Sequence, residues 1–118
     1  MHLYMLAEHD DLDDFAEALY QELLLWAQPK TTIQAVYRHD DGEQPSLSKR
    51  SIEVGLELTI SKAQKLKDPL NQLYDFAKQH KCDFSVGIIE DNQRSDVCFF
   101  GFEEGRPDMF EIANYLEL

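Results

Sequence analysis

The sequence predicts an α+β protein: a two-layer sandwich with a mainly antiparallel sheet and helices packed on one face. Three observations carry this. Apolar residues recur at helical spacing in three stretches, and they alternate at strand spacing in others. The strand-like stretches come in pairs, which favours hairpins over parallel crossovers. The resulting order is helix, strand, strand, helix, strand, strand, helix, with four strands in the sheet.

The first helix is predicted over residues 11–27. Leu12, Phe15, Ala16, Leu19, Leu23 and Trp26 lie on one stripe, and Asp10 or Asp11 is placed to cap it. Pro29 follows its end. Residues 31–38, TTIQAVYR, form the first strand. Residues 39–50, HDDGEQPSLSKR, contain Gly, Pro and Ser and read as a loop. The clearest alternation follows: Ile52, Val54, Leu56, Leu58 and Ile60 against Glu53, Gly55, Glu57 and Thr59.

Asp68-Pro69 reads as a cap followed by proline at the first helical position. Leu70, Leu73, Tyr74 and Ala77 continue this second helix to about His80. Residues 82–90 and 97–102 are two strands around a turn near Gln93. That register opposes Phe84 to Phe102, Val86 to Phe100 and Ile88 to Cys98, with Cys82 opposite Glu104. The two cysteines are then too far apart to bond and are expected as buried free thiols. The last helix runs from Asp108, which shares capping-box spacing with Glu111. The opening LYML is expected to add a short edge strand.

The chain has 118 residues, a usual size for a single domain spanning 1–118. No apolar run approaches the ~20 residues that cross a bilayer. The start lacks the basic flank and apolar stretch of a signal peptide. A cytoplasmic location, as monomer or homodimer, is the expectation.

Net charge is −12. It concentrates at the chain ends. Residues 1–28 hold seven acids and no Lys or Arg. Such a field disfavours nucleic acid and anionic membrane and favours a basic protein partner. Leu25 falls on the polar side of the first helix. The expected partner-binding set is therefore Asp10, Asp14, Glu17 and Glu22 for steering, with Leu25 as an apolar anchor.

A second candidate surface lies on the sheet face away from the core. Gly55, Gly87 and Gly101 share it with Phe99, Val97 and Ile89. Glycines there let another backbone approach. Glu103, Glu104 and Arg106 follow in the turn before the last helix. Together these residues form the alternative, a small-molecule or enzymatic site.

Catalytic signals are weak. The triplets His9-Asp10-Asp11 and His39-Asp40-Asp41 lack a second histidine at ligand spacing. There is no CxxC, phosphate-binding glycine loop or nucleophile elbow. No catalytic residue, metal or cofactor is expected. A non-catalytic binding or regulatory role is the leading expectation.

Overall fold

The computed structural model describes residues 1–39 and 52–118. Among these residues, five strands form one antiparallel sheet: β1 (His2–Glu8), β2 (Ile33–His39), β3 (Ile52–Thr59), β4 (Asp83–Glu90) and β5 (Gln93–Gly101). The helices are α1 (Ala16–Ala27), α2 (Lys67–His80) and α3 (Met109–Tyr115). Most of the expected loop, with Asp40 and Asp41 of the second triplet, lies outside the described residues.

The sheet order is β2-β3-β1-β4-β5. The opening residues therefore make the central strand of five, not a short edge strand added to four. Leu3 pairs with Leu58 on one side and Ile88 on the other. The physical reason is two-sided burial. Leu3, Met5 and Ala7 face the helices, while Tyr4 and Leu6 form a small cluster with Val36 on the opposite face. A strand covered on both faces reads as a continuous apolar run instead of an alternation. Elements β1, α1, β2, β3, α2 and β4 thus interleave two β-α-β units, the split β-α-β arrangement. Strand β5 adds to it through a hairpin.

All three helices pack on one face. Helix α1 lies over β2 and β3, α2 over β4 and β5, and α3 against β5 and a 3-10 turn at Ala63–Leu66. The core between the layers includes Leu19, Leu23, Leu70, Leu73, Ile112 and the inward side chains Val54, Leu56, Phe84 and Phe100.

Several boundaries differ from the sequence reading. Helix α1 begins at Ala16, after a 3-10 turn at Leu12–Asp14, and has no side-chain cap. Asp11 does not cap it; its N–H donates to His9 Nδ1 at 2.9 Å. Helix α2 begins at Lys67, which places Pro69 within its first turn, where an N–H has no helical partner. The β4–β5 turn is Asp91-Asn92, with φ of 51° and 63°. Two left-handed residues give the tight turn that matches strand twist. Strand β5 consequently starts at Gln93, and Phe84 opposes Phe100 while Val86 opposes Cys98. That is a shift of two residues from the expected register, which leaves side chains on their expected faces. A bulge between Val86 and Gly87 breaks the parity, and Val97 packs towards the main core.

The outer sheet face carries a polar network. Arg38 bonds Glu57 at 2.6 Å and lies 3.9 Å from Glu53. Arg94 of β5 reaches across to Glu53 of β3, and Tyr4 Oη donates to Asp96. The half-buried charges of Glu53, Glu57 and Arg94 each thus meet an opposite charge, as burial requires.

Candidate functional site

The partner-binding residues do not form one group. Glu17, Gln21 and Leu25 follow at i, i+4 and i+8, so they make one stripe along α1, and all three are exposed. Leu25 is 73% exposed, and Leu24 beside it is partly open at 37%. Asp14 is exposed in the preceding 3-10 turn. Glu22 turns away towards α2: it accepts from Gln79 Nε2 at 3.0 Å and lies 3.2 Å from His80 Nε2. The His80 ring stacks on Phe15 at 5.3 Å, and His9 meets the same ring edge-on at 5.2 Å. Glu22 therefore ties two helices together. Asp10 sits at one end of the sheet, in the lining of a cavity of about 330 Å3 with Glu8, His9, Lys81, Cys82, Asp83, Phe102 and Glu103.

A second cavity of about 330 Å3 opens between α1 and β2, lined by Glu17, Tyr20, Gln21 and Tyr37. The Tyr20 and Tyr37 rings stand 5.5 Å apart with planes at 73°. Among the described residues, Glu17 makes no hydrogen bond or ion pair. The sequence reading missed both tyrosines. Tyr37 shares strand parity with Ile33 and Ala35, and Tyr20 adjoins core residue Leu19. Two tyrosines on the flanks of apolar stripes were the available signal; their meeting depends on how α1 crosses β2.

The alternative ligand surface comes together only in part. Gly55, Gly87 and Gly101 do share the outer face by register. However, the trough is filled from within the sheet: the Tyr4 ring lies over Gly87. The last helix, on the other layer, does not cover it. Phe99 remains 48% exposed on this face. Arg106 instead stacks over Tyr74 of α2, 5.5 Å from its centroid.

The segment FFGFEEGRPDMFEI reads as a built turn. Gly101 and Gly105 exchange backbone hydrogen bonds at 2.8 and 2.9 Å, with φ of 143° and 96° that favour glycine. Asp83 Oδ1 accepts from the N–H groups of Glu103 and Glu104 at 2.9 and 3.1 Å. Phe102 N–H donates to the Cys82 carbonyl, the contact that replaces the expected Cys82–Glu104 pairing. Asp108 then caps α3, its Oδ1 accepting from Phe110 and Glu111 N–H at 2.9 and 3.1 Å. Glu111 does not complete a capping box; its carboxylate accepts from Tyr115 Oη at 2.8 Å. Asp108→Ala is expected to cost about 1 kcal/mol of stability, read as a lower urea midpoint. Coincident unfolding curves would show that the cap contributes nothing.

Both cysteines are free. Cys82 is buried, and Cys98 is only half-buried, more open than the sequence suggested. Burial, then the charge of Asp83, pushes the Cys82 thiol up to about 12. Burial, then Glu111, raises Cys98 to about 11. The unfolded chain therefore ionises first. Stability is whole below about pH 9, the ordinary thiol value, and falls as pH rises towards 11 and 12. Cys82→Ala should flatten that alkaline loss relative to wild type, measured as urea midpoints from pH 8 to 11; parallel profiles would mean that the thiol is not coupled to folding.

Among the described residues, no helix is long and apolar enough to cross a membrane. No protein-family model, curated protein or solved structure matches the chain.

Proposed function

We propose that this protein acts by binding rather than by catalysis, as a small regulatory or adaptor module that engages a basic protein partner through α1. The observation that carries this is the stripe Glu17–Gln21–Leu25: a leucine 73% exposed, two turns along α1 from a carboxylate without a partner among the described residues, in a segment of 28 residues without Lys or Arg. Carboxylates of one sign raise the encounter rate with a cationic surface, and a desolvated leucine slows release. The binding set narrows to Asp14, Glu17 and Leu25. Glu22 belongs to the α1–α2 contact, and Asp10 to the sheet end.

The test uses a synthetic amphipathic peptide of alternating basic and leucine residues, with an acidic counterpart as control. Asp14→Asn with Glu17→Gln should chiefly lower the association rate and flatten its salt dependence. Leu25→Ala should chiefly raise the dissociation rate, lowering affinity several-fold. If neither variant alters either rate while the fold is intact, α1 is not the interface. If Leu25→Ala instead abolishes a concentration-dependent dimer in sedimentation, the leucine serves self-association.

A further inference from the structure

We infer that the cavity between α1 and β2 is a seat for a lysine side chain of the partner, an inference that rests on the α1 reading above. Among the described residues, three other rings each carry a cation. Lys30 stands 4.1 Å over the Trp26 ring, Lys78 4.9 Å over Tyr74, and Arg94 5.8 Å over Tyr4. Tyr20 and Tyr37 carry no such cation among the described residues, although they form a corner beside the Glu17 carboxylate.

The geometry selects the type of cation. Rings at 73° make two adjoining walls. A compact ammonium fits such a corner and meets the electron-rich ring surface, whereas a planar guanidinium is best served by one flat face. The ammonium has three donors. The residues that line the cavity carry acceptors to match: the Glu17 carboxylate, the Gln21 amide oxygen and the tyrosine hydroxyls. The apolar stem of a lysine would leave the corner across exposed surface next to Leu24 and Leu25, continuing the apolar part of the α1 face.

The first experiment titrates the whole protein with n-butylammonium chloride and follows tyrosine ring signals by NMR. Tyr4, Tyr74 and Tyr115 serve as internal references. Saturable shifts confined to Tyr20 and Tyr37, weakened a few-fold by Glu17→Gln and weaker with n-butylguanidinium at equal ionic strength, are expected. No saturation, equal shifts at all five tyrosines, or equal binding of the two cations would overturn the inference. A second arm compares the amphipathic peptide in all-lysine and all-arginine versions against wild type and Tyr20→Leu. The lysine version should bind more tightly to wild type and lose that advantage in the variant. If both versions bind equally, remain sensitive to Leu25→Ala and ignore Tyr20→Leu, the lysine seat falls while the α1 reading stands. If neither peptide binds, the α1 reading falls, and the butylammonium arm alone decides the cavity.

Discussion

Gly55→Val is expected to destabilise the protein by about 3 kcal/mol or more, enough to leave much of the chain unfolded at room temperature if its stability is ordinary. Gly55 is buried in β3 and opposes Leu6 on one side and Val36 on the other. A Cβ at this position would come within 2.8 Å of Leu6 Cα and 3.0 Å of the Met5 carbonyl carbon, and closer still to the Met5 oxygen. These are backbone atoms of the central strand, so no side-chain rotation relieves the clash. At Gly105 a Cβ would meet nothing within 4 Å, although its φ of 96° still favours glycine. Gly105→Ala should therefore cost only about 1 kcal/mol. Urea unfolding of both variants checks the comparison. Equal midpoints would mean that the β1–β3 approach is looser than described.

Phe84→Ala is expected to cost about 4 kcal/mol. Phe84 is fully buried on β4, and its ring lies 5.7 Å from that of Phe100, nearly parallel at 21°. Truncation removes the apolar transfer energy and leaves a cavity whose walls are held by strands on both sides. The two rings share one space, so Phe84→Ala and Phe100→Ala should be less costly together than the sum of each alone. Strict additivity in the double variant would show that the rings do not support one another. A loss near 1 kcal/mol for Phe84→Ala would show that α2 and the sheet collapse into the gap.

What was legible in the sequence follows from how local each cause is. Strand β3 was plain because one face is apolar and the other carries Glu53, Gly55 and Glu57. The cap at Asp108 was plain because its partners lie within three residues. Strand β1 was misplaced for the opposite reason. HLYMLAE contains no β-branched residue and no alternation, and both its partner strands are more than 40 residues away. The turn at Asp91-Asn92 lacks the glycine that usually announces two left-handed residues, so the hairpin was read two residues too late. At the candidate site, helical periodicity alone set Leu25 on the polar side. The corner formed by Tyr20 and Tyr37 needed the packing of α1 on β2, and the diversion of Glu22 needed the position of α2.

The central place of β1 also sets an order of events. Of the five strands β1 is made before its partners: it cannot pair with β3 until residues 52–59 arrive, and its second edge stays open until residues 83–88 follow. Closing loops of that length costs entropy before any ladder hydrogen bond returns it. The two pairings of β1 carry a large share of the sheet's contacts, and non-local contacts of this kind slow folding. Until β4 docks, Leu3, Met5 and Leu6 are an apolar edge without cover, so the nascent chain is most open to mispairing in the interval between the arrival of β3 and that of β4.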